Sequence, residues 1–409
     1  MRQSKKTPIA LIVLLAAAGF IIPNVQGEQL EVRVATGTDL FPIPNLIIPS
    51  QGFATVMFIL MLAMTTLSVY LTFVRNQKTP LVAVIAFGFG LVMTVLTWLF
   101  SGAEMGITTL LAGSLALAVP LIFGSLSGAL SERVGIINIA IEGQLLAGAF
   151  TSALVASITD SVLIGITAAM FAGALVASLL AVFSIKYLVD QIITGVVINV
   201  LIIGLTSFLF STLLSDNISL LNQPPRFDRI SIPLLGQIPI IGPVLFNQTL
   251  IVYLMYLAVA GVFLALFKTR WGLRLRSVGE YPKASDTVGI KVFRTRYMSV
   301  MIGGALAGLG GSFFTLGQVG AFGKEMTNGA GYIALAALIF GRWNPIYAAM
   351  AALLFGFALN LQYALQIVGS PLPSEFLLML PYVLTVVAVA GLVGKVKGPA
   401  AAGKPYVKS

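Results

Sequence analysis

The chain has 409 residues, of which 58% are hydrophobic and only 9% are charged, whereas a soluble globular protein carries about 25% charged residues. A soluble fold of this length is therefore excluded, and the hydrophobic residues suffice for about a dozen membrane spans of roughly 20 residues each. The net charge is +10 and the chain has no His and no Cys, which excludes disulfides, Cys and His metal sites, thiol nucleophiles and His-based acid–base catalysis.

Twelve apolar runs predict an all-α polytopic membrane protein. Most runs are long enough to cross a ~30 Å hydrocarbon core as helices, and none alternates with the period of two that a membrane barrel needs. The runs are Ile9–Ile22, Gly52–Phe73, Leu81–Phe100, Thr108–Leu130, Ile136–Ile158, Val162–Phe183, Ile192–Leu214, Leu250–Leu266, Tyr297–Leu316, Tyr332–Phe340, Pro345–Leu365 and Phe376–Val393.

Two of these runs are short. Ile9–Ile22 follows three basic residues and fits either an uncleaved first helix or a secretory signal cut near Ala16–Ala18, which would leave eleven spans. We favour the uncleaved helix because a multi-spanning chain needs no separate signal. Tyr332–Phe340 is too short to span alone. It must recruit Ala321–Gly331 or form a half-helix backed by protein.

The basic residues predict the orientation. With the N-terminus inside, 20 of the 24 Lys and Arg fall on the inner side, as the positive-inside rule requires of a chain whose two termini are cytoplasmic. Eight of the 20 lie in one loop, residues 267–296. The basic excess is thus an orientation signal, and nucleic acid is not an expected partner.

Several polar residues lie within the apolar runs. Glu142 is the only acid well inside a span, and because a charge there is costly, it should face the bundle interior with a partner. Its predicted role is a polar group near the pathway, a cap for a helix break, or a buried hydrogen-bond link between helices. Asn138 is expected on the same helix face at i−4, whereas Arg133 is too far along the helix to reach Glu142 without a bend. The remaining candidates for pathway or interhelical contacts are Gln144, Asn199, Asn360 and Gln362.

Small residues recur at four-residue spacing in the run Tyr297–Leu316. One series is Gly304, Gly308 and Ser312, and the other is Gly303, Ala307 and Gly311. Because small residues at this spacing let helix backbones approach closely, they predict a tightly packed helix.

The basic loop 267–296 contains a candidate short helix. Pro282 suits the first helical position because its missing N–H costs nothing there, and Gly289 suits the stop. We therefore predict a helix over Pro282–Val288, on which the small Ala284 and Ser285 would allow close docking against another protein. An ordinary solvated loop is the alternative on pattern alone.

This segment resembles the cytoplasmic coupling segment of ABC importer permeases, whose short helix sits in a groove of the ATPase subunit. The residues that carry the resemblance are Gly279, Glu280, Pro282, Ala284, Ser285, Asp286 and Gly289. Three further stretches resemble the nucleoside and simple-sugar branch of the permease family that serves ribose-type sugars, branched-chain amino acids and nucleosides. They are Ser131–Gln144, Asp190–Ile193 with Asn199, and Gly331–Pro345.

The resemblance covers residues 105–395 and divides the chain. Residues 1–104 are an additional N-terminal transmembrane region, 105–395 are the permease core with its coupling loop 267–296, and 396–409 are a basic cytoplasmic tail. The sequence departs from the family at Ala284-Ser285, where Ala-Ala is usual, and in the additional first region.

The resemblance implies the permease subunit of an ATP-driven importer, for nucleosides or, as the alternative, simple sugars. It also implies ABC ATPase subunits, a second permease, an extracytoplasmic solute-binding lipoprotein and the lipid of a bacterial or archaeal plasma membrane as partners, and no cofactor. An ion-coupled secondary transporter is the rival from another class, but it needs more intramembrane acids than Glu142 alone. No catalytic set for a membrane enzyme can be assembled.

One pattern in the tail is misleading. Gly398–Lys404 matches most of the phosphate-binding G-x-x-x-x-G-K motif, but Pro405 stands where a Ser or Thr must bind magnesium. We therefore expect no ATP site on this chain and an energy supply from a partner ATPase.

Overall fold

The computed structural model describes residues 6–25, 29–34, 40–41, 43–102, 104–368, 375, 379 and 398–408. The chain divides into two compact units. Unit 1 comprises residues 1–111, 233–244 and 361–378, and unit 2 comprises residues 112–232, 245–360 and 379–409. The predicted span Phe376–Val393 lies, apart from Met379, outside the described residues, as do Arg2, Lys5, Lys395 and Lys397 of the charge analysis.

The described residues are mostly helical, which confirms the all-α polytopic class. Among them, ten helical segments are long and apolar enough to cross a membrane. The helices are α1 (Lys6–Ile21), α2 (Ser50–Val69), α3 (Leu81–Leu99), α4 (Ile107–Arg133), α5 (Ile141–Thr159), α6 (Val162–Ala181), α7 (Gln191–Leu209), α8 (Ile218–Leu221), α9 (Leu250–Lys268), α10 (Arg270–Glu280), α11 (Pro282–Thr287), α12 (Val292–Ser312), α13 (Ala330–Phe340) and α14 (Pro345–Val368).

Two predicted runs differ from the helices observed. The run expected over Ile136–Ile158 becomes helical only at Ile141, because the chain turns at Gly135, whose φ is +91°, and then stays irregular as far as Ala140. The short run near residue 332 forms α13, which has 11 residues and a length of about 16 Å. It is therefore a half-helix, and the irregular segment 320–329 precedes it.

Unit 1 contains α1, α2 and α3, which share a small apolar core. Leu11 and Ala18 of α1 are buried with Met61 of α2 and Phe87 of α3. Since Ala18 lies in this core, α1 packs against α2 and α3. A three-stranded sheet of order β2-β1-β3 accompanies the helices. Its strands are β1 (Gln29–Arg33), β2 (Leu46–Pro49) and β3 (Glu104–Gly106), with β1 antiparallel to β2 and parallel to β3.

Unit 2 is built around the close packing of α5, α6 and α12. A side chain on Gly308 of α12 would collide with the carbonyl of Ala169 on α6, and one on Gly148 of α5 would collide with the backbone of Gly308. These contacts confirm the packing role predicted for the small residues of this run. A short antiparallel pair, β4 (Arg229–Ser231) and β5 (Asn247–Thr249), lies in the same unit.

We expect Gly308→Ala to destabilise the protein by about 1–3 kcal/mol, because the added methyl group has no space between α6 and α12. The matched control is Gly261→Ala on α9, where a Cβ would meet nothing within 4 Å. That change should be neutral or slightly stabilising, since Ala is the better helix former. Thermal unfolding in detergent would measure both variants, and equal melting temperatures would contradict the packing.

Candidate functional site

The Glu142 carboxylate holds the start of the half-helix α13. Its Oε1 accepts hydrogen bonds from Thr327 Oγ1 at 2.6 Å and Gly329 N at 2.9 Å, and its Oε2 accepts one from Gly331 N at 2.6 Å. The first N–H groups of a helix have no partner within the helix and carry partial positive charge. A buried carboxylate at this position is therefore satisfied by the broken helix itself.

Glycines make this contact possible. Gly329 has a φ of +80°, which turns the chain into α13, and a side chain on Gly331 would collide with the backbone of Glu142. The two glycines flank Ala330 and let the backbone come within hydrogen-bond distance of the carboxylate. The predicted helix-break cap and the predicted interhelical link are thus the same contact.

Asn199 of α7 joins the same region from another side. Its Oδ1 accepts a hydrogen bond from Gly143 N at 2.8 Å, and its Nδ2 donates to the Ile139 carbonyl at 2.9 Å and to the Tyr332 hydroxyl at 3.1 Å. The single amide therefore ties α7 to the start of α5, to the irregular segment before it and to α13.

Asn138 does not lie on the helix of Glu142, so the expected i−4 relation is wrong. It lies in the irregular segment before α5, because the chain leaves the helix of α4 at Arg133. There it exchanges hydrogen bonds with Gln144: its Nδ2 donates to Gln144 Oε1 at 3.2 Å, and its Oδ1 accepts from Gln144 Nε2 at 3.1 Å. Ser127 of α4 donates to the same Gln144 oxygen at 3.1 Å.

The other two polar candidates lie elsewhere. Asn360 of α14 donates to Ser114 Oγ of α4 at 3.4 Å and lies against Gly113, so it links two helices. Gln362 is buried and belongs to unit 1. The structure therefore brings Asn138, Glu142, Gln144 and Asn199 together around the start of α5, and it pairs Asn360 with a different part of the bundle.

Some members of this network were not predicted. Thr327 and Ser127 supply hydroxyl groups to Glu142 and Gln144, and a hydroxyl residue alone gives no sequence signal of such a contact. The sequence feature that indicates this network is an intramembrane acid together with a glycine pair at the start of a short apolar run. Arg133 turns away from Glu142 and donates to the carbonyls of Trp343 at 3.2 Å and Arg342 at 3.3 Å.

The loop 267–296 forms two helices, α10 and α11, which together make up the predicted coupling segment. Helix α11 begins at Pro282 and ends at Thr287, one residue before the predicted end, and Gly289 follows with a φ of +83°. Ser285 is buried and bonds to the Tyr281 carbonyl at 3.1 Å and to Ser277 Oγ of α10 at 3.3 Å. Ala284 is exposed. Of the two small residues, only Ala284 is free to meet another protein, because Ser285 packs against its own chain.

Two exposed apolar residues flank α11, one on each side of Ala284. Tyr281 is 63% exposed and Val288 is 75% exposed. Gly279, near the end of α10, packs so closely on the Arg133 carbonyl that a side chain there would collide with it. Helix α10 therefore packs on the end of α4, and the apolar residues on either side of α11 are exposed. Among the described residues, no group of three His, Cys, Asp or Glu could hold a metal ion.

A family described as "Branched-chain amino acid transport system / permease component" matches residues 110–389. The chain belongs to this permease family. The guanosine ABC transporter permease protein NupQ of Bacillus subtilis is 41% identical to it over 317 residues, 74% of this chain and 97% of that protein. The nucleoside ABC transporter permease protein NupC of Lactococcus lactis is 39% identical over 73% of this chain and 97% of its own length.

A third relative is named for a different solute. The putative glucose ABC transporter permease protein TsgC13 of Haloferax volcanii is 33% identical over 63% of this permease and 78% of its own length. No solved structure matches the permease. The stretches that resembled the family in sequence, from Ser131 to Gln144 and from Gly331 to Pro345, contain Glu142, Asn138, Gln144 and most of α13. The permease is a multi-pass membrane transport component.

Replacing Glu142 with Gln should lower the free energy of unfolding by about 1–3 kcal/mol, because one carboxylate oxygen becomes an amide that faces a backbone N–H and cannot accept its hydrogen bond. Membrane insertion should persist. The matched control is Glu325→Gln, the same change at an exposed residue. Melting in detergent and solute uptake would be compared, and a Glu142→Gln protein that melts and transports like the parent would refute this role for the carboxylate.

Proposed function

We propose that this permease carries nucleosides across the plasma membrane as the membrane-spanning subunit of an ABC importer. The observation that carries the proposal is its similarity, over 97% of their length, to permeases named for guanosine and for nucleosides. Simple sugars are the second candidate, because a relative named for glucose matches a smaller part of the chain at lower identity.

ATP hydrolysis is assigned to partner ATPase subunits that dock on α11. The exposed Tyr281, Ala284 and Val288 form a small apolar surface between basic residues, which suits a groove on another protein. Gly279 packs α10 on the end of α4, Pro282 begins α11 and Gly289 follows its end. Glu280 and Asp286 are the two acids of this proposed coupling site. Ser285 stabilises the segment from inside.

The contacts within unit 2 support the predicted orientation. The tail meets the basic loop where Ala401 N donates to the Gly279 carbonyl at 2.9 Å, so both lie on one side of the membrane. On the opposite side, Asn222 and Phe322 exchange hydrogen bonds of 3.0 and 2.7 Å. With the basic side inside, the C-terminus is cytoplasmic and the positive-inside rule is satisfied; we assign the N-terminus to the same side.

In an alternating-access mechanism, each of the remaining partners has a defined position. A solute-binding lipoprotein would deliver the nucleoside to the outer loops 23–51 and 215–249, and a second permease would complete the pathway. The Glu142 network lies at the start of the half-helix α13. Substrate sites in membrane transporters are often formed by such broken helices. Residues 105–395 would form the permease core within surrounding lipid, residues 1–104 an additional membrane region, and residues 396–409 the cytoplasmic tail.

Proteoliposomes that contain the complete importer should take up labelled guanosine in the presence of ATP. Unlabelled uridine should compete, and excess ribose or glucose should not. The same vesicles without the binding lipoprotein serve as the control. Competition by sugars and not by nucleosides would replace the proposed solute with the second candidate.

Ala284→Arg should reduce copurification of the ATPase by roughly tenfold or more, because a long charged side chain would occupy the apolar surface of α11. The matched control is Gln77→Arg, which adds the same charge at an exposed residue of another predicted cytoplasmic loop. Both variants should reach the membrane in parental amounts. Undiminished ATPase recovery with the Ala284→Arg variant would remove α11 from the docking site.

A further inference from the structure

The tail segment, residues 398–408, is folded against the coupling segment. Ala401 N donates to the Gly279 carbonyl at 2.9 Å, and Ala400 N donates to Glu280 Oε2 at 3.3 Å. Gly279 and Glu280 are the last two residues of α10, directly before the coupling helix α11. The Gly/Ala-rich tail therefore completes the hydrogen bonding of this junction, although its composition predicted only a basic tail.

Tyr406 connects the tail to both α11 and α12. Its side chain is 4% exposed, and its phenol interacts with the Asp286 carboxylate of α11. Its ring lies 5.5 Å from the Phe293 ring and 5.8 Å from the Arg296 guanidinium, both on α12. Burial, and then the Asp286 carboxylate, raises the pKa of Tyr406.

Arg296 makes this contact selective for an aromatic ring. Its side chain is 1% exposed, and its Nε and Nη2 have no hydrogen-bond partner among the described residues. A buried guanidinium without such partners is costly, and the face of an aromatic ring offsets part of that cost. Gly135 leaves room for this arrangement, since a Cβ there would lie 3.1 Å from Arg296 Nη2 and 3.2 Å from the Ala401 carbonyl oxygen.

Helix α11 needs support of this kind. It has six residues, and a helix of that length is not stable alone. Ser285 attaches it to α10, and Asp286, the next residue, attaches it to Tyr406 of the tail. A force applied to α11 thus reaches the membrane helix α12 through the Tyr406 side chain as well as along the backbone.

We propose that the tail segment is a brace for the coupling helix, and that Tyr406 is a positioning residue that links Asp286 to Phe293 and Arg296. The proposal rests on the ABC importer function proposed above. In the proposed brace, movement of the ATPase is converted into movement of α12 only while the tail segment is bound to the coupling segment. A loosened tail lets α11 shift on α10, so ATP is hydrolysed with less solute transported.

The first experiment measures amide hydrogen exchange over residues 282–290 of the purified full-length permease. Tyr406→Phe removes the hydroxyl that interacts with Asp286 and keeps the ring on Arg296. It should speed exchange in this segment by roughly tenfold, the effect expected for the loss of one interaction between a hydroxyl and a carboxylate. Tyr406→Ala should speed it further. Val407→Ala is the matched control because Val407 is 63% exposed in the same tail, and it should leave exchange unchanged.

The second experiment measures guanosine transported per ATP hydrolysed by the complete importer in proteoliposomes. Tyr406→Phe should lower this ratio several-fold, and Val407→Ala should not. Asp286→Ala should also lower it, and adding Tyr406→Phe to Asp286→Ala should cause no further loss, because one contact is removed only once. Unchanged exchange, unchanged coupling, or additive losses in the double variant would overturn the brace.

The two proposals can fail separately. If the parent importer moves no nucleoside, the proposed solute is wrong, while exchange over residues 282–290 and hydrolysis coupled to any transported sugar still decide the role of Tyr406. If the parent moves guanosine and the Tyr406 variants behave like it in both experiments, the importer function stands and the brace is refuted.

Discussion

The arrangement of unit 2 depends on one buried charge. Glu142 lies at the first turn of α5, and its carboxylate is bonded to a hydroxyl and to two backbone N–H groups at the start of α13. Within a membrane a broken helix is tolerated only where other groups satisfy its free backbone. The carboxylate and the broken helix therefore require each other, and each would be costly alone.

The neighbouring polar groups extend this arrangement toward the end of α4. Asn199 and the Asn138–Gln144 pair hold the irregular segment before α5, and Arg133 at the end of α4 bonds to the carbonyls that follow α13. The coupling segment rests on the same end of α4 through Gly279. A continuous set of contacts thus runs from the proposed ATPase surface to the half-helix, which is the physical requirement for transmitting movement between them.

Local sequence was enough for the membrane class and for most of the described spans. Composition and run length predicted the helical membrane class, because spanning a hydrocarbon core demands about 20 apolar residues whatever the tertiary fold. The start of α11 at Pro282 and its stop before Gly289 could be predicted from the sequence, because both reflect intrinsic backbone preferences. The small residues of α12 predicted close packing for the same kind of reason: their spacing is a property of one helix.

The properties readable from the chain alone are therefore local: the class, the described spans, the ends of α11 and an acid in need of a partner. Which groups meet was settled by packing in three dimensions. In the tertiary structure, Asn138 lies outside the helix and Ser285 is buried. Glu142 accepts hydrogen bonds from N–H groups at the start of α13, and Tyr406 interacts with Asp286. These outcomes depend on residues far apart in the chain, such as 142 with 329, and a polar side chain carries no local sign of the partner that packing brings to it.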